Sequence, residues 1–88
     1  MPTRRTTPPD WVITRRRELG ERIADCRRAA GLSQDQLADH VGVERRSIQR
    51  YERGERDVGF AVLLLIAERT GCEVADLVRG IKAGPGGG

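Results

Sequence analysis

Four single glycines, Gly31, Gly42, Gly54 and Gly71, cut the middle of the chain into short segments whose apolar residues recur at helical rather than alternating spacing. Ahead of Gly31, residues Val12, Leu19, Ile23, Cys26 and Ala30 share one face of a long helix, with arginines over much of the other and Asp10 as its expected N-cap. Ser33 with Gln36 three residues on forms a capping box that opens a second helix, whose apolar side is Leu37, Ala38 and Val41. A third helix is expected from about Glu44 to Arg53, and a fourth over Val58 to Thr70 with Asp57 as its cap. The stretch "EVADLVR" gives a short fifth helix that turns Val74, Leu77 and Val78 inward. No run alternates convincingly, so the pattern predicts an all-α fold of five helices around one small core. At 88 residues there is room for one domain. Its expected limits are residues 10–79, between a flexible basic arm (residues 1–9, with Arg4 and Arg5) and a disordered glycine-rich tail (residues 80–88).

Bulk chemistry narrows the function classes. The longest apolar run, Ala61 to Ala67, is far short of the roughly 20 residues of a membrane span, so a soluble, intracellular protein without a membrane partner is expected. Cys26 and Cys72 are too few and too far apart for a metal knuckle or a CxxC pair; they read as two small buried hydrophobes in a reducing cytosol. His40 is the only histidine and reads as solvated. No nucleophile and base, no carboxylate pair and no metal set stands out, so the sequence offers no catalytic residues, no metal and no cofactor. The net charge of +3 leans toward anionic partners, and its distribution says more than its sum.

The junction of the second and third helices is the informative place. Ala38 is small enough to let the next helix cross closely, Gly42 permits the positive φ of a sharp turn, Val43 plugs the corner, and Ile48 anchors the third helix to the second. In "VERRSIQRYERGER", Arg45, Arg46, Gln49 and Arg50 fall within an arc of about 140° on a helix, while Ile48 and Tyr51 point the other way. One face is thus guanidinium and amide, with no acidic residue but Glu44 at its start. Arginine suits bidentate contact with guanine, and glutamine with adenine.

The segment "LGERIADCRRAAGLSQDQLADHVGVERRSIQRYERGERD", with the trailing "VLLLIAERTGCEVADLV", resembles the Cro- and phage-repressor-type (Xre-like) helix-turn-helix family. That resemblance implies a compact five-helix, lambda-repressor-like domain whose third helix enters the major groove of double-stranded DNA. It implies base contacts from Arg45, Arg46, Gln49 and Arg50, and a backbone contact from Gln34 at the start of the second helix. Arg53 and Arg56 sit either over the DNA backbone or in solvent. An ion pair between Arg27 and Glu52 would fix the reading helix to the scaffold. Glu44 departs from the pattern, which often has a hydroxyl there; its carboxylate suits a helix N-terminus but repels a phosphate. The function implied is a sequence-specific transcriptional regulator, acting as a homodimer on a pseudo-palindromic operator. The competing class is an antitoxin-like or accessory module that uses the same fold to bind a protein partner.

Overall fold

The computed structural model describes residues 7–86; Arg4 and Arg5 of the expected arm lie outside the described residues. Five α-helices follow one another: α1 (Asp10–Ala29), α2 (Gln34–Val41), α3 (Arg45–Glu52), α4 (Phe60–Thr70) and α5 (Val74–Val78). No strand occurs among the described residues. The all-α architecture read from the sequence is the one found. Its core joins Ile23 of α1, Leu37, Ala38 and Val41 of α2, Ile48 and Tyr51 of α3, Leu63, Ile66 and Ala67 of α4, and Leu77 of α5. Ile23, Leu37, Ile48, Ile66 and Leu77 are fully buried, and each contributes about 1.5–3 kcal/mol by leaving water.

Helix ends explain most of the boundaries. Ser33 Oγ accepts from the Gln36 amide at 3.0 Å, and Gln36 Oε1 accepts from the Ser33 amide at 2.8 Å, so the capping box forms as its residue types require. Two other expected caps do not form. Asp10 lies inside α1, and Pro9 is the N-cap, its carbonyl accepting from the Val12 and Ile13 amides at 3.0 and 3.3 Å. Asp57 does not cap α4, which begins two residues later than expected, after Gly59; its carboxylate faces Arg16 instead. α5 makes its own box: Asp76 accepts from the Glu73 amide. The Arg79 guanidinium, 2.7 Å away, and then that amide hold the Asp76 carboxyl below its ordinary range.

Three side chains expected inside or free behave otherwise. Val78 is 42% exposed, because a five-residue helix has one inward face and Val74 and Leu77 fill it. Ala30, at the end of the α1 stripe, is also exposed. His40 is not merely solvated: its Nε2 lies 2.9 Å from Glu68 Oε1, linking α2 to α4. The cysteines are a larger correction. Cys26 of α1 and Cys72 of the α4–α5 turn are joined as a disulfide, with their Cα atoms 6.5 Å apart. Forty-six positions of separation conceal a proximity that arises only when α5 folds back on α1.

Two further features shape the ends of the domain. Trp11 is half-buried and lines a cleft with Asp10, Thr14, Arg15 and Pro85 of the tail. Arg15 donates to the carbonyls of Lys82 (2.8 Å), Gly84 (3.2 Å) and Gly86 (2.8 Å), contacts with α1 that a glycine-rich composition does not announce. No described helix is long and apolar enough to cross a membrane.

Candidate nucleic-acid interface

The α2–α3 turn is made by Gly42, whose φ of 84° places it in the left-handed region open to glycine. The amides of Gly42 and Val43 both donate to the Ala38 carbonyl, at 2.8 and 3.0 Å, which ends α2 and redirects the chain within three residues. Ile48 and Tyr51 then bury the inner side of α3. Its outer side is left to Arg45, Arg46, Gln49 and Arg50.

Those four residues do not stand alike. Arg46 and Arg50 are exposed, and among the described residues neither has an acidic partner. Arg45 is exposed too, but its Nε lies 3.7 Å from Asp35 Oδ1 in the first turn of α2. Gln49 is half-buried on the wall of a groove of about 380 Å³ that it shares with Glu21, Asp25, Gln34, Glu52 and Arg53. Glu44 is the N-cap of α3 without a side-chain capping bond, which leaves its carboxylate exposed at the front of this edge.

Behind the edge, one carboxylate ties three helices. Glu52 accepts from Arg27 Nε at 2.6 Å and Nη2 at 3.2 Å, and from Gln34 Nε2 at 3.0 Å. Arg27 spends its remaining nitrogen on the Leu32 carbonyl, at 2.9 Å. The arginine and glutamate side chains are only 11% and 7% exposed, so this two-pronged pair is largely out of water, where its geometry is worth most. The structure thus brings Arg27, Glu52 and Gln34 together as one clamp that sets the last turn of α3 against α1 and α2. The second amide hydrogen of Gln34 and its backbone N–H, an orphan of the first helical turn, have no acceptor among the described residues.

Close approach of α1 and α3 depends on a glycine that sequence reasoning passed over. Gly20 is buried in α1, and a Cβ there would lie 2.4 Å from the Tyr51 carbonyl oxygen and 2.5 Å from that of Glu52. Its only trace in the sequence is a glycine inside an otherwise helical run, which costs stability unless packing demands it. Arg53 and Arg56 are exposed in the loop after α3, at the same end of the helix.

A two-helix unit with a glycine turn, a buried inner face and a cationic outer face is a helix-turn-helix DNA-binding domain. The chain belongs to the helix-turn-helix family of the Cro and phage-repressor type, which it matches over residues 23–77. The family is one of transcription regulators, not of enzymes. Among curated proteins, it is 43% identical over 49 residues to one from Pyrococcus furiosus, named as an HTH-type transcriptional regulatory protein. That match covers 56% of this chain and 16% of the relative. It is 31% identical over 65 residues to an uncharacterized SPbeta prophage-derived HTH-type transcriptional regulator of Bacillus subtilis, covering 74% of this chain and 60% of that protein. This chain therefore spans less than two thirds of the length of each of these relatives. Among solved structures, the restriction-modification controller protein C.AhdI from Aeromonas hydrophila superimposes with a TM-score of 0.65 at 34% identity, over 77% of this chain and 96% of that one.

Proposed function

We propose that the protein is a sequence-specific regulator of transcription that inserts α3 into the major groove of double-stranded DNA. The observation that carries this is the pair of exposed, unneutralised guanidiniums of Arg46 and Arg50, on a helix locked from behind by the Arg27–Glu52–Gln34 clamp. A helix held at its last turn presents its side chains at a fixed angle, and that is what base reading needs. Arg46, Arg50 and Gln49 are the base-reading residues of this proposal. Arg45 joins them by exchanging Asp35 for a base or phosphate, while Gln34, Arg53 and Arg56 grip the backbone. Such a protein works where the DNA is, in the cytosol or on the nucleoid.

Selection of bound sequences from a random duplex library tests the proposal directly, since it returns site, symmetry and half-site spacing together. Arg46→Ala is expected to relax preference at one base pair, at a cost of about 1–3 kcal/mol in discrimination. A selection that enriches nothing, or a variant that binds as the parent does, overturns the reading.

Dimerisation on a pseudo-palindrome is supported by α4, where Phe60, Leu64 and Leu65 are 66%, 46% and 37% exposed. Phe60 and Leu64, one turn apart, share a face of α4 with Leu65 to one side, and contiguous exposed apolar side chains of this kind mark interaction surfaces. The same strip favours the second reading, an accessory module whose main partner is another protein. Leu64→Glu separates the two: sedimentation should show a dimer becoming a monomer, with DNA affinity falling alongside. An unchanged oligomeric state rules out a dimer through α4.

A further inference from the structure

Most of α1, residues 10–22, precedes the family match, yet it holds the loop that leaves α3. Arg16 donates from Nε to the Gly54 carbonyl at 2.7 Å, and its Nη1 lies 3.6 Å from Asp57 Oδ1. Its side chain is only 18% exposed, whereas that of Asp57 is 86% exposed. On the other side of the same loop, Gly54 has a φ of 71°, and a Cβ on it would come within 2.6 Å of Arg17 Cα. The loop is therefore wedged between the Arg16 guanidinium and the α1 backbone. It has little else to hold it. After Glu55, whose amide donates to the Arg50 carbonyl, the amides of Arg56, Asp57 and Val58 donate no hydrogen bond among the described residues. Val58 alone packs against the core.

From this we propose that Arg16 is a positioning residue for DNA-backbone binding: it fixes the α3–α4 loop so that Arg53 and Arg56, on either side of Gly54 and Glu55, face the phosphates together. The inference rests on the reading of Arg53 and Arg56 as backbone contacts. A guanidinium suits the task because its rigid fork can serve a carbonyl and a carboxylate at once, whereas a lysine ammonium is a single point of charge. A loop ordered before binding also spares the complex the entropy of ordering it. The Gly54 carbonyl lies one residue beyond Arg53, the C-cap of α3, so the bond from Arg16 holds the start of the loop rather than the helix itself.

The test compares the parent, Arg16→Ala, Arg16→Lys, the double variant Arg53→Ala/Arg56→Ala, and the triple variant that adds Arg16→Ala to the double. Each is titrated with the duplex recovered by selection, across a series of KCl concentrations and at a temperature where melting curves show every protein folded. Arg16→Ala should flatten the salt dependence by about 0.9 in slope for each phosphate contact displaced, which is up to about eightfold in affinity per contact at roughly 0.1 M salt. Base preference should not change. Arg16→Lys should not rescue, though it keeps the charge and folds as the parent does. The triple variant should bind no more weakly than the double, because a positioning residue has nothing left to position. Three results overturn the proposal: a parental slope in Arg16→Ala, full rescue by lysine, or a further loss in the triple variant, which would make Arg16 a phosphate contact itself. Should the double variant keep the parental slope, the backbone role of Arg53 and Arg56 fails, and the role of Arg16 with it. That outcome is distinct from the one in which the double variant loses slope and Arg16→Ala does not.

Discussion

Replacing Gly20 with alanine sets two opposing effects against each other. In the interior of a helix of 20 residues the substitution should help, since glycine is about 1 kcal/mol less favourable than alanine there. The tertiary contact opposes it. The new methyl would sit 2.4 and 2.5 Å from two carbonyl oxygens, where 3.0 Å is the practical floor for a Cβ contact. Both oxygens belong to backbone, so no rotamer change relieves the clash; α1 and α3 must move apart. Movement at Tyr51 and Glu52 has further costs. The Tyr51 carbonyl accepts from Gly54, and Glu52 carries the clamp to Arg27 and Gln34. Overpacking costs about 1–3 kcal/mol, and a clash with two backbone oxygens belongs in the upper part of that range, about 2–3 kcal/mol, so the balance should fall on the destabilising side by about 1–2 kcal/mol. For a domain of this size that is a fall in Tm of roughly 4–8 °C per kcal/mol. Circular dichroism melting of Gly20→Ala against the parent, with the disulfide in the same state in both, measures it. DNA affinity at a temperature where both are folded should fall as well, since the reading helix has shifted. A Tm equal to or above that of the parent would refute the reasoning, because propensity would then have won and the close crossing could not be limiting.

Two other perturbations probe the scaffold. Glu52→Ala strands the Arg27 guanidinium, 11% exposed, without its counter-charge, and should cost about 3–5 kcal/mol in urea unfolding; a loss under 1 kcal/mol would mean the pair contributes no more than a surface bridge. Reducing the Cys26–Cys72 bond opens a loop closed across 46 positions, which chain entropy values at about 4 kcal/mol, so a thiol reductant should lower the Tm well outside error while leaving a Cys72→Ala variant unmoved. If reductant moves both proteins alike, the bond is not what it acts on.

Much of this molecule is legible before folding. The capping box at Ser33 and Gln36, the stop at Gly42 and the inward pair Ile48 and Tyr51 are local: each depends on residues within about one turn, so the sequence pattern contains all the physics involved. Reading failed where a local candidate met a competitor from elsewhere in the chain. Asp57 has the right chemistry for a cap, but Arg16, some forty positions earlier, draws it away. Val78 has the right polarity for the core, but Val74 and Leu77 already take the inward side of the five-residue α5.

The candidate site divides along the same line. Amino-acid order alone determined that α3 carries an arginine edge opposite an apolar one, because a helix converts spacing into direction without help from the rest of the fold. It also determined the helix-turn-helix, since that turn is made from adjacent residues. Only the tertiary structure decided that Arg46 and Arg50 stand free while Arg45 leans on Asp35, and that Gly20 lets α1 and α3 touch. The same holds for Arg16 at the loop beyond Gly54 and for the union of Cys26 with Cys72. These are meetings between helices, and spacing along one helix carries no information about the angle and distance at which another will cross it.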